Sequence, residues 1–194
     1  MQVFLLYLFS VIISSIIGVT DVSGKEPIIS GASSNIATSS EKPKTDSRVL
    51  KLKNYLQDYP LEDNSEEFIR IADKYNLGKH AYLVAAISGI ESTFGKFIPT
   101  GSYNAWGFGI PTGAQSGIVF ENWDKGIEEV TKTISTVYLK GINPNSLTSE
   151  ELIYRIGPIY AASPTWSQRV CYFMEKIENT PERATSVEHL SVDL

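Results

Sequence analysis

Glu91 is the residue in this chain whose placement invites chemistry. It stands near the end of a stretch of apolar and small residues, AISGIESTFG at 85–94. Leu83, Ile87 and Glu91 are spaced by four, so a helix that persists to this point carries the carboxylate on the stripe of its core-facing side chains. A carboxyl aimed inward has its charged form disfavoured and its pKa raised, which equips it to hold and donate a proton near neutral pH. The same placement suits a structural carboxylate that accepts hydrogen bonds from loop N–H groups at 100–110, and spacing alone does not choose between the two. The next segment, GSYNAWGFGI at 101–110, supplies Tyr103, Trp106 and Phe108 as flat faces suited to the apolar side of a sugar. Asn104 adds an amide donor and acceptor, and Gly107 and Gly109 permit close backbone approach. At least one of the three rings is expected to be core beneath the loop instead.

These residues must be held by helices. Ser65 is placed to cap EEFIRIADKYNL, with Phe68, Ala72 and Tyr75 on one stripe. A second helix runs from Lys79 to about Glu91, with Leu83, Ile87 and Ile90 inward. From Asn122 to Lys140, Trp123, Ile127, Val130, Ile134, Val137 and Tyr138 repeat at helical spacing, and Gly141 closes the run. Thr148 and Glu151 form a capping box for EELIYRI, which is expected to stop at Gly157-Pro158. Ser163-Pro164 opens a last helix with Trp166, Val170, Phe173 and Ile177 buried. Glycines, prolines and aromatics break every period over 95–121, where GIVFE at 117–121 is the one strand-like piece. A long aromatic loop directly after a carboxylate is the expected wall of a binding site.

With these elements in place, the order ESTFG, YNAWGFGI, IVFENWDKGIEEVTKTI and IYAASPTWSQRV resembles the glucosaminidase branch of the lysozyme-like superfamily, over about residues 62–178. The resemblance implies a mainly α, lysozyme-like helical domain with a short irregular or β-lobe segment. It implies an endo-β-N-acetylglucosaminidase-like glycosidase of peptidoglycan in which Glu91 is the catalytic acid. Asn104 to Ile110 matches the family's Asn-and-aromatic loop before Phe-Gly-Ile, and Tyr160 to Trp166 matches its Tyr-Ala-x-Asp-Pro-x-Tyr segment, which places Tyr160 near the acid. Ser92, Tyr103, Asn104, Trp106, Phe108, Tyr160 and Trp166 are the substrate contacts it implies. The chain departs from the pattern in carrying no Asp or Glu between Glu91 and Glu121, and in having Ser163 where the family has Asp. Glu121 is read as a residue supporting the following helix N-terminus, with a second catalytic carboxylate as the alternative. A single acid suits a substrate-assisted mechanism, in which the sugar's acetamido oxygen is the nucleophile. Two other outcomes stay open: a lytic transglycosylase giving 1,6-anhydro products, and an inactive glycan-binding module.

Composition narrows the rest. A formal net charge of −5 and a pI near 5.1, with no basic block, exclude a phosphate-neutralising nucleic-acid binder. Cys171 is the only cysteine, so no intrachain disulfide or Cys-based metal cluster exists; no metal-ligand spacing or phosphate loop suggests a cofactor. Its neighbours suggest a buried thiol, and His189 in the tail reads as solvated. Residues 3–19, VFLLYLFSVIISSIIGV, are uncharged and apolar, which predicts a signal anchor or signal peptide over 1–22. A Ser-, Gly- and Lys-rich linker over 23–48, the domain over 49–179 and a loose tail over 180–194 complete the chain. The expected protein is a monomer whose domain faces outside the cytoplasm, tethered to a membrane or secreted, with peptidoglycan glycan strands as its partner.

Overall fold

The computed structural model describes residues 45–110 and 117–182; the apolar N-terminal segment, most of the linker and the tail with His189 lie outside the described residues. All the described residues fall within one unit, 41–194. The domain is mainly helical, and none of the described residues forms a strand. No helix among them is long and apolar enough to cross a membrane.

The described residues form six α-helices, with 3-10 turns in the α1–α2, α2–α3 and α4–α5 connections: α1 Ser47–Tyr55, α2 Ser65–Lys74, α3 Leu83–Ser92, α4 Trp123–Thr133, α5 Ser149–Tyr160 and α6 Trp166–Glu178. The helix α3, LVAAISGIES, is buried from Leu83 to Gly89 on every side, as a helix apolar all round must be. It packs chiefly on α6, while α5 and α1 also pack on α6, and α2 bridges α1 and α4. The helix α1 starts at Ser47, inside the stretch read as linker, because Asp46 caps it and Arg48 ties it to α2. The Asp46 carboxylate accepts from the Arg48 N–H at 2.8 Å, and the Arg48 guanidinium reaches Asp73 at 2.8 Å.

Local chemistry sets some boundaries and packing sets others. The Thr148–Glu151 capping box is present as the sequence predicts. Ser65 does not cap α2; the preceding turn Glu62–Asn64 runs straight into the helix, and the buried Ser65 hydroxyl donates to the Glu62 carbonyl. The helix α5 does not stop at Gly157-Pro158 but continues to Tyr160. Gly157 is there for packing, since a Cβ at this position would collide with Ser167 Oγ on α6. Past Thr133, α4 widens into a π-turn over Ile134–Tyr138, with the Leu139 N–H donating to the Ile134 carbonyl at 3.0 Å. That extra residue in the turn rotates the end of the helix: Val137, expected inside, faces water, and Leu139 is buried instead.

Between α2 and α3, His80 is 1% exposed, with Nε2 3.0 Å from the Pro144 carbonyl and Nδ1 2.9 Å from Ser149 Oγ. The carbonyl can only accept, so Nε2 carries the proton and the neutral ring accepts from Ser149. Burial holds the His80 pKa below its ordinary value, with the neighbouring Lys79 charge acting in the same direction. Below about pH 6.5 the unfolded chain therefore takes up a proton that the folded chain resists, and stability is lost as pH falls. The melting temperature of wild type should exceed that of His80→Gln at neutral pH, with the gap closing on acidification. A gap constant down to about pH 5 would show that His80 is not the titrating group.

Candidate active site

The site is built where α3 leaves the core. Ser92 ends the helix, and Thr93 and Phe94 continue in left-handed backbone, at φ 53° and 55°. Phe94 turns its ring back over Gly89, where any Cβ would strike the ring, and packs against Tyr55, Tyr59 and Phe173. The same sharp stop corrects the expectation that Glu91 points into the core. The helix α3 is buried all round, so sharing a stripe with Leu83 and Ile87 fixes no direction, and Glu91 lies at the point of exit with its side chain open to solvent.

Open to solvent is not fully solvated. The Glu91 Oε1 atom accepts from the Trp166 indole N–H at 2.8 Å, and Oε2 lies beside Gly107, where a Cβ would approach to 3.4 Å. Desolvation by the surrounding protein raises the Glu91 pKa, opposed by the Trp166 hydrogen bond and the Arg169 charge. An indole donates and never accepts, so when Glu91 is protonated its proton sits on Oε2, on the Gly107 side. Removing the indole N–H withdraws support from the carboxylate form, so the Glu91 pKa should rise further in Trp166→Phe. Titration of the Glu91 carboxyl carbon by NMR checks this, and an unchanged or lower midpoint would contradict it.

The elements behind the acid hold it by stacking and hydrogen bonds. The Trp166 ring, 3% exposed, stacks on Tyr160 at 4.9 Å between centroids. The Tyr160 hydroxyl donates to the Trp106 carbonyl at 2.9 Å, and burial together with the Glu91 charge pushes its pKa well above that of an ordinary tyrosine. Tyr160 therefore lies near the acid, joining the end of α5 to the loop.

Several residues expected to touch substrate instead build the loop. Ser92 is buried, its Oγ bridging the Ser88 and Ala105 carbonyls and accepting from the Gly95 N–H. Asn104 is buried too: Nδ2 donates to the Phe108 and Ile118 carbonyls, both at 2.8 Å, while Oδ1 accepts from the Trp106 and Phe108 N–H groups. Trp106 is fully buried between Phe68, Phe120 and Gly126, and its indole donates to the Val84 carbonyl at 2.9 Å. None of the three presents a free face or polar group outward. Trp166 is likewise covered and reaches the site through its N–H alone. Tyr103, 37% exposed against Trp123, and Phe108, half-buried on Phe120, keep part of their rings accessible.

GIVFE does not form a strand. It is held to the loop by isolated bonds, from the Ile118 N–H to the Phe108 carbonyl and from the Phe120 N–H to the Ser102 carbonyl. Glu121 is exposed and makes no hydrogen bond or ion pair among the described residues; the capping of α4 is done by Asn122, whose Oδ1 accepts from the Lys125 N–H at 3.0 Å. Ser163 does not cap α6 through its side chain either, which pairs with Thr165 Oγ1, and its carbonyl accepts from the Trp166 N–H. Cys171 is a free, half-buried thiol whose pKa burial raises.

Comparison of the chain with family models, with curated proteins and with solved structures finds no match in any of the three.

Proposed function

We propose that this chain is a glycosidase acting on N-acetylhexosamine linkages of peptidoglycan-type glycan strands, with Glu91 as its general acid on a lysozyme-like helical frame. One observation carries the reading: Glu91 is reachable from solvent while its surroundings still raise its pKa. A carboxyl so placed keeps its proton to higher pH than a free one and can still meet a large substrate. The motif order that resembles glucosaminidases supports the same residue.

In this reading Glu91 Oε2 donates its proton to the glycosidic oxygen as the bond to the anomeric carbon breaks, while Oε1 stays on the Trp166 N–H. Charge coupling at Glu91 comes from Arg169 and Tyr160, with no second carboxylate among its partners in the described residues. The acetamido oxygen of the substrate then closes on the anomeric carbon, and Glu91, now ionised, takes a proton from the water that reopens the ring. The apolar N-terminal segment would hold the domain at or beyond a membrane surface, on the wall side.

The test is incubation of the full chain with purified peptidoglycan, then mass spectrometry of the soluble fragments. Fragments with reducing N-acetylhexosamine ends are expected. Anhydro ends would assign transglycosylation instead, and glycan retained on the protein without any cleavage would leave a binding module.

A further inference from the structure

One helical turn beyond Trp166, α6 presents Arg169. Its guanidinium is exposed and makes no ion pair or side-chain hydrogen bond among the described residues. It borders a shallow depression formed with Gln168, Tyr172 and Phe173. Tyr172 is 54% exposed, with Lys176 over its ring at 5.3 Å. The floor is firm, since Phe173 is locked edge-on against Phe94 at the turn that ends α3. A guanidinium without an ion pair or side-chain hydrogen bond, an amide and an accessible ring together suit a carboxylate attached to a partly apolar group.

We propose that this depression is a subsite for the lactyl carboxylate of an N-acetylated glycan bound at Glu91, a group that is free only on strands whose peptide has been removed. The inference rests on the reading of Glu91 as the acid and adds what the neighbouring part of the substrate must bear. Its position couples it to the chemistry. The groups facing Glu91 are the Trp166 indole and Arg169 from α6 and Tyr160 from α5. Arg169 is the cation among them, and it favours the ionised carboxylate. A ligand carboxylate seated on Arg169 offsets that pull, so the correct substrate helps the acid to keep its proton until transfer.

The experiment uses the full chain carrying Glu91→Gln, chosen so that the probes stay intact during titration, and a matched pair of probes. One is the disaccharide of N-acetylglucosamine and N-acetylmuramic acid; the other is the same disaccharide with its carboxylate converted to an amide. Calorimetric titration should show the acid form binding about fivefold more tightly at low salt, with the preference shrinking as salt is raised. Adding Arg169→Gln should remove that preference, costing the acid form more than the amide form. Equal binding of the two probes, or a preference that survives Arg169→Gln, overturns the subsite, as does failure of both probes to bind. Cleavage of peptidoglycan by wild type and not by Glu91→Gln alongside such a result would leave Glu91's role standing. An Arg169-dependent preference without any cleavage would instead retain the subsite and discard the hydrolase.

Discussion

Glu91→Gln should abolish glycan release, lowering kcat by about 10²- to 10⁴-fold, while the protein melts no lower than wild type at neutral pH. Glutamine keeps the shape of the side chain, and its amide oxygen can still accept the Trp166 N–H that Oε1 accepts at 2.8 Å. What it lacks is a transferable proton on the Gly107 side. The stability half comes from linkage. Because desolvation raises the folded pKa of Glu91, its contribution is fully present below about pH 4.5 and lost as pH rises through the folded pKa. A neutral amide carries no charge to desolvate at any pH, so the substitution does not lower stability through this route. Assays of soluble product and calorimetry on the same preparations separate the two effects: retained turnover removes Glu91 from the mechanism, and a sharply lowered melting temperature makes it structural.

Trp106→Ala should be the most destabilising single change in the loop, by about 3–5 kcal/mol. The ring is fully buried against Phe68 and Phe120, and Gly126 on α4 has no side chain because the ring occupies that space. Truncation leaves a cavity and removes the indole that donates to Val84 on α3. A loss of that size is a large share of the about 5–15 kcal/mol that holds a typical domain folded. It would also reach the site, because the Trp106 backbone anchors the Tyr160 hydroxyl. Urea denaturation measures it, and a loss below about 1 kcal/mol would place the ring outside the core.

The contrast between Trp106 and the Thr148–Glu151 box explains what could be read from the chain alone. A capping box is satisfied within four consecutive residues, so the sequence contains all of its geometry. The helical class emerges from periodicity in the same way. Trp106 and Asn104 could not be placed by type, because an indole or an amide that suits a sugar suits a buried carbonyl equally well. Only the fold shows that Asn104 already has four backbone partners. Neither the continuation of α5 through Pro158 nor the π-turn after α4 has a spacing signal. Glu91 was legible as a candidate but not in its direction, since stripe spacing assigns a face only to a helix that has a polar side. Arg169 carries no signal in the sequence, because a lone arginine on an amphipathic helix forms no motif; its place beside Glu91 emerges only once the fold is in view.

The turn after Glu91 bears on how the acid would work. Two successive non-glycine residues, Thr93 and Phe94, hold left-handed backbone there, a conformation costing roughly 1–2 kcal/mol per L-residue. The cost is offset by the Phe94 ring, clasped by aromatics from α1 and α6 and by Tyr59 between α1 and α2. Moving the backbone that carries Glu91 would mean dismantling that clasp, so the end of α3 is a fixed base from which the side chain reaches the Trp166 N–H.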